Sequence, residues 1–399
     1  MTSASNDFPG QSSDTVVVEK VGVGIAVVNG QIVDSFAFHD YLGLAQHPAV
    51  CEAAVTSFSR YGLSLCSVRP QAGSTPEHRL LELELAGFVG KEDAVLLASG
   101  AQATFAALET LVNLAIGRCI SSDAVLVCYD EHVHTNSVTP ARSAKTVLRD
   151  FSHNMQWSLK RALAARNIEQ RIIVIYGVYS MHADMAPLVK YLEVAAETNA
   201  MVLMDDAHGI GTLGDHLGGV SDIYGVSKHP RLIITGSLSK AFGGSGGFVA
   251  GPRDFCQHLR KVSSAYLHSQ SVPPCIVSGM LVSTRIMREE GLHLQDRLKH
   301  NVATARQALK ALGFTIHGAS GLPTLTIMIG DDALARRICA EMLRERILIS
   351  ALEWPSVREN QARLRIIITA DHSREQITRM AECLARSAAR NGLRLSPRP

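Results

Sequence analysis

Ala200-Met201-Val202-Leu203-Met204-Asp205-Asp206-Ala207-His208 places an acid and a histidine directly after an apolar run. Leu232-Ile233-Ile234 leads in the same way into Ser237-Leu238-Ser239-Lys240-Ala241-Phe242-Gly243-Gly244-Ser245-Gly246-Gly247. Short apolar runs bounded by turn residues read as buried strands of a parallel sheet. Ligands of such sheets gather at the carboxyl ends of the strands. The acid, the histidine, two hydroxyls and the lysine are therefore expected to converge on one crevice. That set suits pyridoxal 5′-phosphate: an amine for the Schiff base, a carboxylate for the pyridine nitrogen, and hydroxyls plus open amides for the phosphate.

Outward from this stretch, further strand-like runs are Ala94-Val95-Leu96-Leu97, Ala124-Val125-Leu126-Val127 and Arg171-Ile172-Ile173-Val174-Ile175. Helical spacing, with proline near the start, marks 76–89 and 187–198. Strand–helix alternation of this kind argues for an α/β domain. Ile25 to Val33 reads as a hairpin around Asn29-Gly30. Beyond Ile286 a long helical pattern runs through Leu312. It leads into a smaller α+β unit with expected strands at 314–316, 324–328, 347–349 and 364–368, flanked by helices 332–346 and 373–390. The division expected is an N-terminal segment 1–46, a large domain 47–286 and a small C-terminal domain 287–399.

The bulk numbers fit an ordinary soluble enzyme: 399 residues, 46% hydrophobic, 19% charged. A net charge of +2 gives no argument for nucleic acid, and the arginine-rich tail reads as a solvated end. The eight cysteines form no C-x-x-C pair and no metal set, which points to a reducing compartment. The polar start lacks a secretory signal, and no apolar run approaches the roughly 20 residues that span a bilayer. A cytoplasmic protein without a transmembrane segment is expected.

Each candidate residue also has a plain structural reading. Lys240 among glycines could be a solvated turn residue, but Ser237 and Ser239 directly after a strand favour phosphate binding. Asp205 could cap a turn, yet an acid closing a buried strand is costly without a cationic partner. His208 alone is equally a turn histidine or a contact to the cofactor's phenolic oxygen. Ser99-Gly100-Ala101 opens a helix whose N-terminus offers amides to an anion, or is merely a cap. His134 could stack on a cofactor ring or be a surface histidine. Arg365 alternates with Leu364 and Ile366 on a strand, and its planar fork suits a substrate carboxylate.

The chain resembles the α-oxoamine synthase family of fold-type-I pyridoxal-phosphate enzymes. The motifs that carry the resemblance run from Asp40-Tyr41-Leu42-Gly43-Leu44 and His78-x-x-Leu81-Glu82 through Ser99-Gly100, Asp130-x-x-x-His134 and Phe151-x-His153-Asn154. They continue with Ser180-Met181-x-x-Asp184, Asp205-x-Ala207-His208-Gly209, Ser237-x-Ser239-Lys240-Ala241-Phe242-Gly243, Ser269 before Pro273-Pro274, and Arg363-Leu364-Arg365 with His372. The resemblance implies a large domain with a mostly parallel sheet and a smaller C-terminal α+β domain. It implies Lys240 as Schiff-base lysine and base at Cα, Asp205 at the pyridine nitrogen, His208 at the phenolic oxygen, His134 stacked on the ring and Ser180 as a further contact. Gly100, Ala101 and Ser237, with Ser99 and Ser239 beside them, would hold the phosphate. Ser269 would be lent by the neighbouring subunit of a homodimer with shared active sites. Arg365, Ser356 and His39 would lie at the substrate.

Departures from the family pattern are His39 for asparagine, Asp206 for glutamate, Ala183 for glycine, Ala101 for an aromatic residue, Thr104 for asparagine and Gln270 for threonine or serine. The expected reaction is decarboxylative condensation of a small α-amino acid with an acyl thioester, from acyl-CoA or an acyl-carrier protein. Another pyridoxal-phosphate reaction, aminotransferase or aldol-type lyase, is the alternative, and a non-catalytic partner subunit a further one.

Overall fold

Five of these segments, joined by two further stretches, pair into one sheet in the structure, a computed structural model that describes residues 16–118, 125–133, 135–142, 146–164, 168, 170–393 and 395. In chain order they are β1 (Asp93–Leu97), β2 (Val125–Asp130), β3 (Thr146–Phe151), β4 (Arg171–Tyr176), β5 (Ala200–Asp205), β6 (Leu232–Ser237) and β7 (Gly247–Gly251). Their spatial order is β1-β7-β6-β5-β4-β2-β3, and within it β7 alone runs antiparallel. Strands β1 and β6 are buried along their whole length. Each aliphatic side chain so covered contributes about 1.5–3 kcal/mol. The helix Gly100–Arg118 packs across β6 and β7 through Ala103, Ala106 and Ala107, small residues that bring it close to the sheet.

The sequence expectations for helices hold within a residue or two. Pro76–Phe88 starts from a Thr75–His78 capping box, and Leu188–Glu197 follows Pro187. Ile25–Val28 and Gln31–Ser35 pair around Asn29 and Gly30, both at positive φ, as a two-residue hairpin requires. The long pattern beyond Ile286 divides at Glu290 into helices Pro274–Glu289 and Gly291–Ala311.

Two C-terminal expectations need correction. No strand forms at 314–316: Phe314 N–H bonds the Leu309 carbonyl and Gly313 N–H that of Lys310, so these amides close the preceding helix instead. The strand expected at 347–349 leaves the C-terminal sheet for the N-terminal hairpin, and the strand after it takes its place. Strands β8 (Thr324–Gly330), β9 (Ile347–Leu348), β10 (Ser350–Leu352) and β11 (Ala362–Ile367) follow in chain order. β8, β11 and β10 form a three-stranded sheet, whereas β9 pairs in parallel with Gln31–Ser35. The N-terminal segment is thereby tied to the C-terminal one, and Phe36 stacks on His372 at 4.1 Å. Residues 1–15, 394 and 396–399 lie outside the described residues.

Under the sheet a buried ion cluster joins four elements. Glu82, 1% exposed, receives Arg69 at 3.0 Å, Arg260 at 3.0 Å and the Leu96 amide at 3.1 Å. Arg260 also reaches Asp93 at 2.7 Å. Removing a shared buried anion strands its cations. Glu82→Ala is expected to lower stability by about 3–5 kcal/mol in urea unfolding; an unchanged midpoint would show that the cluster carries no net stability.

Candidate active site

Parallel strands bring their carboxyl ends to one edge. Leu97, Tyr176, Asp205 and Ser237 close β1, β4, β5 and β6 there, and antiparallel β7 begins at the same edge, with Gly247 paired to both Ser237 and Leu97. A Cβ on Gly247 would lie 2.5 Å from the Gly100 nitrogen. Glycine is therefore needed for the Ser99-Gly100 turn to seat its helix against the sheet. Ser99 Oγ caps that helix by accepting from Gln102 N–H at 3.1 Å. The first-turn amides of Gly100 and Ala101 have no carbonyl a turn earlier to bond. Gly100 sits against Ser237, to which a Cβ would approach within 3.1 Å. Ser237 Oγ and Ser239 Oγ are 2.7 Å apart. Hydroxyls and helix-start amides thus gather in a cradle for an anion.

Asp205 stands beside this cradle. It accepts from Thr104 Oγ1 at 2.9 Å and from the Ala207 amide at 3.1 Å. Thr104 is itself 3.0 Å from Thr235 Oγ1. Burial pushes the Asp205 carboxyl above the usual range, against the pull of Lys240, Thr104 and the Ala207 amide. Burial pushes the Lys240 amine down; Asp205 opposes this and Arg365 adds to it. A lysine so disposed is a better nucleophile and base than an exposed one.

Asp205, Lys240, His208, Ser180 and Ser356 line one cavity of about 860 Å³. Nδ1 of His208 is 2.8 Å from the Tyr41 hydroxyl. Burial, then Lys240, His39 and Arg365, holds its imidazole uncharged. His39 packs edge-on to His208 at 5.4 Å; burial, Arg365 and Lys240 push it down to about 3. His39 Nε2 and Arg365 Nε are both buried with no hydrogen-bond partner. Ala101 and Ser269 line a separate cavity of about 480 Å³ beside the start of the same helix. His134 lies outside the described residues.

Several residues went unread in the sequence. Tyr41 was visible only as a member of a motif and Thr104 only as a departure from the family pattern, not as partners of His208 and Asp205. A histidine group forms another wall of the cavity: His132 stacks on His182 at 3.8 Å, and both line it. Behind them His153 is clamped between Asp130 and Asp184, each at 2.9 Å. Burial opposes its charge, but the two carboxylates outweigh burial and push it up to about 9. Asp206, beside Asp205, is fully buried, and burial pushes it up to about 8. Ala183 adopts φ 55°, a conformation that favours glycine, where the resemblance anticipates glycine.

Residues 34–384 match the aminotransferase class I and II family. The chain belongs to this family. It is 33% identical over 359 residues to 8-amino-7-oxononanoate synthase of Methylococcus capsulatus, covering 90% of each chain. Identity to 2-amino-3-ketobutyrate coenzyme A ligase of Escherichia coli K12 is 33% over 384 residues, covering 95% of this chain and 94% of that one. Serine palmitoyltransferase of Sphingomonas wittichii shares the fold, with a TM-score of 0.87 at 24% identity over 96% of this chain and 94% of that one. Within the family the chain stands with the α-oxoamine synthases, which are pyridoxal-phosphate-dependent acyltransferases.

The residues fit that cofactor. The cradle is built for a phosphate, the acid for a protonated ring nitrogen and the proton-poor lysine for an aldehyde carbon. Thr104→Val deletes a donor to the charged acid while keeping the volume, and should raise the cofactor dissociation constant about tenfold in a spectroscopic titration. His153 binds its proton more tightly folded than unfolded. Its contribution to stability is therefore complete below 6.5 and lost as pH rises through 9. His153→Gln should abolish a loss of about 2–3 kcal/mol across that window in pH-dependent unfolding.

Proposed function

We propose that this chain condenses a small α-amino acid with the acyl group of an acyl-CoA, giving an α-amino ketone, CO₂ and the free thiol. The observation that carries this reading is the shared cavity of Lys240 and Asp205, each shifting the other's proton affinity. Relatives at 33% identity named 8-amino-7-oxononanoate synthase and 2-amino-3-ketobutyrate coenzyme A ligase support the reaction class.

When bound, pyridoxal phosphate supplies an aldehyde and an electron-withdrawing ring. Ser99, Gly100, Ala101, Ser237 and Ser239 hold its phosphate, and Ser180 adds a contact. Asp205, which accepts from Thr104 and the Ala207 amide, would pair with the protonated ring nitrogen. His208 would meet the phenolic oxygen, and the resemblance assigns the ring contact to His134. Lys240 would hold the aldehyde carbon and serve as the base for the Cα proton of the amino acid. Arg365, whose buried Nε has no protein partner, would bind the substrate carboxylate, with His39 and Ser356 close to the same substrate. Residues 47–286 form the cofactor-binding unit and 287–399 the smaller one. The working form is a homodimer in which Ser269 reaches the site of a second copy. No helix among the described residues is long and apolar enough to cross a membrane, and the reading places the protein in the cytoplasm.

The test mixes the purified chain with small amino acids and acyl-CoAs of graded length and follows free thiol with DTNB. Thiol release with CO₂, absent in Lys240→Ala, is expected. Amino-group transfer without thiol release would replace this reading with an aminotransferase.

A further inference from the structure

Tyr41 is fully buried and takes no part in the chemistry assigned above. Its backbone is fixed: the carbonyl accepts from Ala370 N–H at 2.8 Å, and its own N–H bonds the His39 carbonyl at 2.8 Å. Its hydroxyl has two polar neighbours, His208 Nδ1 at 2.8 Å and Thr324 Oγ1 at 3.5 Å. His39 stands edge-on to both rings, at 5.9 Å from Tyr41 and 5.4 Å from His208.

These distances decide where the protons sit. A phenol keeps its proton at neutral pH. An uncharged imidazole has one N–H and one bare nitrogen. If Nδ1 carried the ring proton, it would donate to Tyr41, and the phenol's own proton would be left with Thr324 at the outer limit of a hydrogen bond. If Nδ1 is bare, the phenol donates to it across 2.8 Å and Thr324 can donate to the phenol oxygen. The second arrangement gives the buried phenol proton a short acceptor and leaves only the long Thr324 contact at the outer limit. It leaves the imidazole proton on Nε2.

We infer that Tyr41 is a positioning residue that holds His208 in its Nε2–H tautomer, so that the ring presents a donor, not a lone pair, to the Lys240 cavity. The catalytic consequence rests on the reading of His208 as the contact to the cofactor's phenolic oxygen. A donor there stabilises negative charge on that oxygen, whereas a bare nitrogen would repel it. The strut also crosses the molecule: Tyr41 belongs to the N-terminal segment, His208 to the turn after β5, and Thr324 begins β8.

Neutron diffraction from crystals of the deuterated full chain reads the tautomer directly. A deuteron is expected on His208 Nε2 and on the Tyr41 oxygen; a deuteron on His208 Nδ1 overturns the inference. In the holoenzyme, Tyr41→Phe should move the pH midpoint of the cofactor's visible band by about one unit and lower kcat about tenfold. KM for the amino acid should not change. His208→Gln carries an amide N–H that does not need the phenol, so adding Tyr41→Phe to it should move the band no further. An equal shift in both backgrounds overturns the inference as well. A deuteron on Nε2 with an unmoved band upholds the tautomer and instead defeats the reading of His208 as a cofactor contact.

Discussion

An acid and an amine half-buried in one cavity at the carboxyl edge of the sheet, Asp205 and Lys240, set the terms for the residues around them. Desolvation drives both toward neutrality, the acid by raising its proton affinity and the amine by lowering it. Each opposes that drift in the other. The neighbours then break the balance in a consistent direction. Thr104 and the Ala207 amide donate to the acid and favour its anion, while Arg365 adds positive charge near the lysine and favours its neutral form. The adjacent Asp206 is pushed toward its protonated form. The hydrogen-bonded acid and the proton-poor amine thus share one cavity, a combination suited to carbonyl and carbanion chemistry.

Backbone geometry makes this possible. A parallel sheet puts the ends of β1, β4, β5 and β6 together, and the reversed β7 supplies glycine at the one place where a helix must start against it. Electrostatics and packing are not separable here. Without the close approach at Gly247, the amides of Gly100 and Ala101 would not stand beside Ser237.

The site was legible where its chemistry follows a strand in sequence. Asp205, His208, Ser237, Ser239 and Lys240 come directly after apolar runs, and the fold brings their chain positions together by the simplest connection. Tyr41 and Thr104 were not legible as partners because their hydrogen bonds join residues 167 and 101 positions apart. Strand β3 escaped notice because it is a half-exposed edge carrying Arg149 and Asp150. Strand β7 escaped because glycines bound its short apolar stretch. The expected strand at 314–316 failed because a helix end claimed its amides, a competition that apolar pattern does not reveal.

The N-terminal segment and the C-terminal sheet meet at the same histidine, through Tyr41 and Thr324, and Arg365 acts on that site from β11. A ribosome making this chain must therefore finish nearly all of it before His208 has its full surroundings. Fragments released early would carry the lysine and the acid but lack the arginine.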